Sequence, residues 1–147
     1  MDSTKIILGA GKYQRQEGWQ TLDQFAFDGI DFVHNLENEL PFANNSILEL
    51  SAIHVVEHLT NLVNFMNECH RVLIPGGSLY IETPEAGTNP DLQFADPTHI
   101  RCYRKHTFIN YFTPAGIEAF GYTKKAWSIL HIEAKDGILI FHGQPIK

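Results

Sequence analysis

The sequence predicts an α/β domain with a mostly parallel sheet, a C-terminal antiparallel hairpin and a first crossover helix that is reduced or missing. Three observations carry this. The apolar run Lys5-Ile6-Ile7-Leu8 ends in Gly9-Ala10-Gly11, as a buried strand running into a glycine turn does. One long amphipathic helix is legible, with strand-like runs on both sides of it. Near the C-terminus, Asp136-Gly137 separates two apolar runs, which is a hairpin signal.

Each element has its own local cause. Trp19 to Asp23 alternates and is rich in strand formers, and Ile30 to His34 is a shorter run of the same kind. Ile47 to Ile53 follows the turn signal Asn44-Asn45-Ser46. Leu62, Val63, Met66, Cys69 and Leu73 make one helical stripe. Thr60 or Asn61 can cap its start, His70 and Arg71 suit the negative end of its dipole, and Pro75-Gly76-Gly77 stops it. Ser78 to Thr83 then reads as a strand. Glu85 to Arg104 has no periodicity and reads as a long functional loop. Phe108 to Phe112 is a short helix candidate. Thr113-Pro114 is a cap followed by proline in the first turn of another helix, closed by Gly121. Trp127 to Ala134 and Ile138 to His142 form the hairpin.

With 147 residues the chain is expected to be a single domain. Eleven basic against seventeen acidic residues give a net charge of −6, and no basic run exists for nucleic acid to follow. No apolar stretch is long enough for a membrane span, and the first residues lack a signal-peptide pattern. Cys69 and Cys102 are the two cysteines; they form no CxxC pair, and a reducing, cytoplasmic setting is expected.

The glycine turn sits at the carboxyl end of the first strand, where open α/β sheets bind ligands. Asp23 ends the second strand, the place from which an acidic group accepts hydrogen bonds from ribose hydroxyls. Neither alone separates a cofactor site from an ordinary strand end. NAD fits poorly, because Gln14 stands where the dinucleotide fingerprint needs its third glycine.

Taken together, Leu8-Gly9-Ala10-Gly11-Lys12, Gly18-Trp19, Leu22-Asp23, Asp31 to Leu36, Leu40-Pro41-Phe42, His54 to Leu59 and Glu68 to Leu79 resemble a compact branch of the class I methyltransferases. The likeness covers roughly residues 5 to 84 by motif and 126 to 142 by topology. It implies a Rossmann-like fold with S-adenosylmethionine as cofactor. It places Gly9, Ala10 and Gly11 against the methionine part, Asp23 on the ribose, Asn35 and Leu36 beside adenine, and His54 near the transferring methyl. The chain departs from the pattern in three ways. Ile7 replaces an expected acidic residue, a third glycine is missing, and only the seven residues Lys12 to Gly18 join the first two strands, where a parallel crossover takes a dozen or more.

The implied reaction is in-line methyl displacement onto a small-molecule or glycan acceptor, with catalysis mostly by positioning. His54 and His99 are the candidate bases, followed by Glu57. Asp96, His99, Arg101 and Tyr103 concentrate polar chemistry in the long loop and are assigned to the acceptor. The alternative for that loop is an Asp96–Thr98 turn with His99 capping the backbone, or an ion held by Asp91, Asp96 and His99. Two further readings stand beside methyl transfer. His54, Glu57 and His58 have the HxxEH spacing of a zinc hydrolase, which needs both histidines aimed at one point. A non-catalytic partner subunit would expose an apolar face, supplied by Phe108 to Phe112 and Trp127. Reduced helical cover also suits a homodimer.

Overall fold

The computed structural model describes residues 4–147. Among these residues there are seven strands: β1 (Lys5–Leu8), β2 (Gln20–Asp23), β3 (Phe32–Val33), β4 (Ile47–Ile53), β5 (Leu73–Pro84), β6 (Trp127–Lys135) and β7 (Ile138–Pro145). They form one sheet in the order β3-β2-β1-β4-β5-β7-β6. β1 to β5 are parallel; β7 runs antiparallel to both β5 and β6. The mixed sheet with its terminal hairpin is the predicted one.

Among the described residues no helix joins β1 to β2, β2 to β3 or β3 to β4. The loss of crossover helices is therefore wider than the first connection alone. β1 is nonetheless buried on both faces, at Ile6, Ile7 and Leu8, which a strand in the middle of a parallel sheet requires.

Helix α1 (Leu62–Val72) is capped by Asn61, whose side chain accepts from the Asn64 N–H at 2.9 Å. Its buried stripe is Leu62, Phe65, Met66, Cys69 and Val72; Val63 lies at the edge. Thr60 serves elsewhere, donating through N–H and hydroxyl to Glu37. The last turn of α1 holds down the helix-free segment between β3 and β4. Arg71 donates to the carbonyls of Leu40 and Phe42 and to Asn44, at 2.8–2.9 Å, and pairs with Glu68. Glu68 in turn accepts from the Leu40 N–H at 2.7 Å. One guanidinium thus satisfies backbone acceptors that a helix would have satisfied internally.

Three elements differ from the sequence reading. β5 starts at Leu73 and runs through Pro75-Gly76-Gly77, with its register jumping from Ile47↔Leu73 to Glu49↔Ser78. The glycines form an irregularity inside the strand pair. The long loop contains a short helix, α2 (Pro90–Phe94), started by Asn89 and Pro90; five residues are too few to create a periodicity. Helix α3 (Lys105–Phe112) begins earlier than expected. Helix α4 (Pro114–Phe120) has the expected Thr113 cap and ends at Gly121.

Phe108, Phe112 and Trp127 lie in the core at 0–2% exposure. Phe108 stacks on Phe141 with ring centroids 4.7 Å apart. They cannot supply an exposed apolar face, so the support for a partner subunit drawn from them is lost. Both cysteines are free; Cys69 is buried, and burial pushes its thiol well up, away from reactivity. No helix among the described residues is long and apolar enough to cross a membrane.

Candidate functional site

The chain proceeds outward from β1 to β2 in one direction and from β4 to β5 in the other, so the strand order reverses between β1 and β4. A crevice is expected beyond the carboxyl ends of those two strands. A cleft of about 760 Å³ is found there, within the range of small-molecule sites. Its floor is the turn after β1, its far wall the ends of β2 and β3, and its near wall the segment after β4.

The floor is shaped by backbone conformation. Gly9 and Gly11 have φ of +66° and +54°, which L side chains rarely adopt. A Cβ on Gly9 would lie 2.5 Å from Val55 Cγ2, whereas one on Gly11 would meet no atom within 4 Å. Gly9 is thus needed for packing, and Gly11 keeps backbone open to the cleft. Ala10 lines nothing; its side chain is buried and its N–H donates to the Leu22 carbonyl.

Asp23 faces Gly11 across the floor. Its Oδ2 accepts from the Gly11 N–H and its Oδ1 from the Phe25 N–H, both at 2.9 Å. The carboxylate is almost fully buried and lines the cleft. Each oxygen retains a lone pair for a ligand. Asn35, Leu36 and Glu37 form the far wall; Asn35 Oδ1 is engaged by the Glu37 N–H, turning the chain there. Phe25, Phe27 and Ile100 add apolar wall, and Thr98 brings the long loop to the rim. Sequence reasoning missed Phe25, Phe27 and Ile100 as cleft residues, because an aromatic or aliphatic residue in a loop carries no periodic signal.

His54 stands just past β4 in the left-handed region, at φ +55°. Strain of this kind at a non-glycine residue marks functional positions. Its ring is about half exposed to the cleft. Nδ1 is 3.3 Å from Glu57 Oε1. The hydrogen bond to Glu57 raises the imidazole above its ordinary value against the opposing effect of burial. Burial disfavours ionised Glu57, yet the hydrogen bonds from His54 and Thr83 prevail and hold it below the usual glutamate range. With Nδ1–H donating to Glu57, Nε2 is left as the free acceptor.

Other assigned residues lie elsewhere. Glu57 is fully buried behind His54, in a 3-10 turn (Val56–His58), and does not reach the cleft. His99 packs behind the rim, its Nδ1 on the Gln93 carbonyl at 2.9 Å. Asp96 closes a turn with Thr98, accepting from its N–H and hydroxyl, as the alternative reading of that loop had it. Arg101 is exposed and off the cleft. Tyr103 is a core residue, 5% exposed, whose backbone pairs with Glu85. Its assignment to the acceptor is withdrawn, and so is that of Arg101. Asp91 belongs to α2 and stands apart from Asp96 and His99, so that ion set does not assemble. The HxxEH histidines do not converge either: the grouping of metal-capable side chains among the described residues is Glu57, His58 and His99, without His54.

Fold and cleft together define the class: a Rossmann-like α/β domain with a ligand crevice at its topological switch point. A "Methyltransferase domain" profile matches residues 9–81. A demethylmenaquinone methyltransferase from Chlorobaculum parvum is 31% identical over 102 residues, covering 64% of this chain and 42% of that protein. The chain thus spans less than half the length of that relative. Among solved structures, a SAM-dependent methyltransferase from Archaeoglobus fulgidus superposes with a TM-score of 0.68 at 13% identity, over 97% of this chain and 86% of its own. One from Aquifex aeolicus gives 0.63, also at 13%, over 99% and 83%. These structures share the fold. The chain is similar to class I S-adenosylmethionine-dependent methyltransferases in profile and in sequence, and it shares their fold. The cofactor of that family is S-adenosylmethionine.

Proposed function

We propose that this chain transfers a methyl group from S-adenosylmethionine to a small-molecule acceptor by in-line displacement. The observation that carries the reading is the pairing of an open glycine floor with the buried Asp23 carboxylate across one cleft. The residues fit a nucleoside that carries no phosphate: backbone and one carboxylate supply the polar contacts, and no cation lines the cleft among the described residues. S-adenosylmethionine supplies an electrophilic methyl when bound. Gly9 and Gly11 give its methionine end backbone to approach, Asp23 accepts from ribose hydroxyls, and Asn35 and Leu36 flank the base. His54 Nε2, oriented by Glu57 through Nδ1, accepts the acceptor's proton. His99 has no place in that step.

A small-molecule acceptor is supported by the name of the curated relative, and demethylmenaquinone is the first probe, with glycans as the comparison arm. The test is calorimetric titration with S-adenosylmethionine and S-adenosylhomocysteine, repeated on Gly11→Val. Saturable binding of both, weakened at least tenfold in the variant, is expected. Absence of binding, or binding indifferent to Gly11→Val, overturns the assignment.

A further inference from the structure

We infer that Glu57, His58 and His99 form a binding site for a divalent transition metal of the zinc class, behind the rim of the cleft. One donor atom from each lies within 4.8 Å of the others. The hydrogen bonds around them establish which atoms are free. The Nδ1 of His99 meets the Gln93 carbonyl, which can only accept, so Nδ1 carries a proton and Nε2 is the nitrogen left for a metal in the neutral ring. The Nδ1 of His58 meets the Thr98 carbonyl at 3.2 Å and the Thr98 hydroxyl at 3.0 Å. That hydroxyl gives its own proton to Asp96 Oδ1 at 2.6 Å, so it too can only accept from His58. Nε2 of His58 is likewise the nitrogen left for a metal in the neutral ring. Both histidines are tied through Nδ1 to backbone carbonyls, the outer-shell arrangement that prepares imidazoles to ligate a metal. Glu57 is prepared in the same way, with Oε2 accepting from Thr83 at 2.9 Å.

His99 Nε2 lies 4.0 Å from Glu57 Oε1 and 3.8 Å from Asp96 Oδ2. Both gaps are too long for direct hydrogen bonds. Tetrahedral zinc with bonds of about 2.0–2.1 Å needs donors roughly 3.4 Å apart, so the Glu57, His58 and His99 donors, within 4.8 Å of one another, would close onto the ion through side-chain movement. Two imidazoles and one carboxylate suit zinc-class ions, and not magnesium, which prefers oxygen and keeps its waters. The Glu57 carboxylate can keep its bond from His54 while ligating, because Oε1 has two lone pairs.

This set differs from an HxxEH hydrolase centre: Glu57 is a ligand, His54 is not, and His99 comes from the long loop. A bound ion would clasp residues 96–101 to the 3-10 turn beside the cleft. His58 belongs to the cleft wall as well as to the cluster, so the site borders the cleft.

The test is titration of the chelator-treated full chain with Zn²⁺ and, separately, Mg²⁺, followed calorimetrically and by thermal melting. One site per chain with micromolar or tighter Zn²⁺ affinity and a raised Tm is expected, with no Mg²⁺ response. His58→Ala and His99→Ala should each weaken Zn²⁺ at least tenfold, while His131→Ala on the exposed edge strand leaves it unchanged. Should an alanine variant not fold, the Co²⁺-loaded wild type decides: intense four- or five-coordinate visible bands support the site. A weak octahedral spectrum, absence of 1:1 Zn²⁺ binding, or binding indifferent to His58 and His99 overturns it.

Discussion

Asp23→Asn tests the centre of the cofactor reading, because the change nearly conserves shape while removing charge. In the folded chain the carboxylate accepts two backbone N–H bonds, from Gly11 and Phe25, at 2.9 Å each. Asparagine offers one acceptor oxygen and a donor amide. One of the two N–H groups then faces another donor. An unsatisfied buried donor costs about 1–3 kcal/mol, and the bond that remains loses its charge assistance. A net loss of about 2 kcal/mol follows, or roughly 5–8 °C in Tm for a chain of this size. Binding suffers separately. Replacing a carboxylate acceptor of ribose hydroxyls forfeits about 1.5–3 kcal/mol, which is a factor of about 10–150 in Kd. Thermal melting gives the first quantity and calorimetric titration with S-adenosylhomocysteine the second. A variant that melts lower yet binds with unchanged Kd would show Asp23 to be a loop fastener alone, and refute its role on the ribose.

Four further outcomes are expected. Gly9→Ala places a Cβ 2.5 Å from Val55 Cγ2 in a left-handed conformation; overpacking and strain together cost about 3 kcal/mol, measured by denaturant titration, and a loss below 1 kcal/mol contradicts the packing argument. Arg71→Ala removes the donor that holds Leu40, Phe42 and Asn44; about 2–3 kcal/mol is lost, and amide exchange should quicken across residues 40–46. Glu68 is held below its ordinary value of 4.5, chiefly by the hydrogen bond from Arg71, against burial. Its stabilisation is complete above that value and disappears as pH falls through the lower folded one, so acid melting curves of Glu68→Gln should be flatter below about pH 4.5 than those of the wild type. His54→Asn keeps a residue tolerant of the left-handed region; turnover of an identified acceptor should fall about 10²–10⁴-fold while S-adenosylhomocysteine affinity stays within a few-fold.

The local signals were legible because they depend on neighbours in the chain. Alternation and turn residues place β1, β4 and the hairpin, and Asn61, Thr113 and Gly121 mark helix ends through backbone groups a few residues away. Gly9, Gly11 and Asp23 could be read as a site because strand-end position follows from strand assignment and the first two strands are parallel neighbours. What the linear order could not supply was the direction of side chains in irregular segments. Glu57 and His58 are adjacent, yet one is fully buried and the other lines the cleft. Arg101 and Tyr103 are two apart and separate into solvent and core. Phe108, Phe112 and Trp127 were free to be surface or interior until the sheet gave Phe108 and Trp127 a place against Phe141, with Phe112 beside Phe108. The meeting of His58 with Thr98, forty residues on, arises only when the long loop closes over the end of β4. Periodicity reports which face of a regular element is apolar. Where neither helix nor strand imposes a period, tertiary contacts alone choose which polar groups converge.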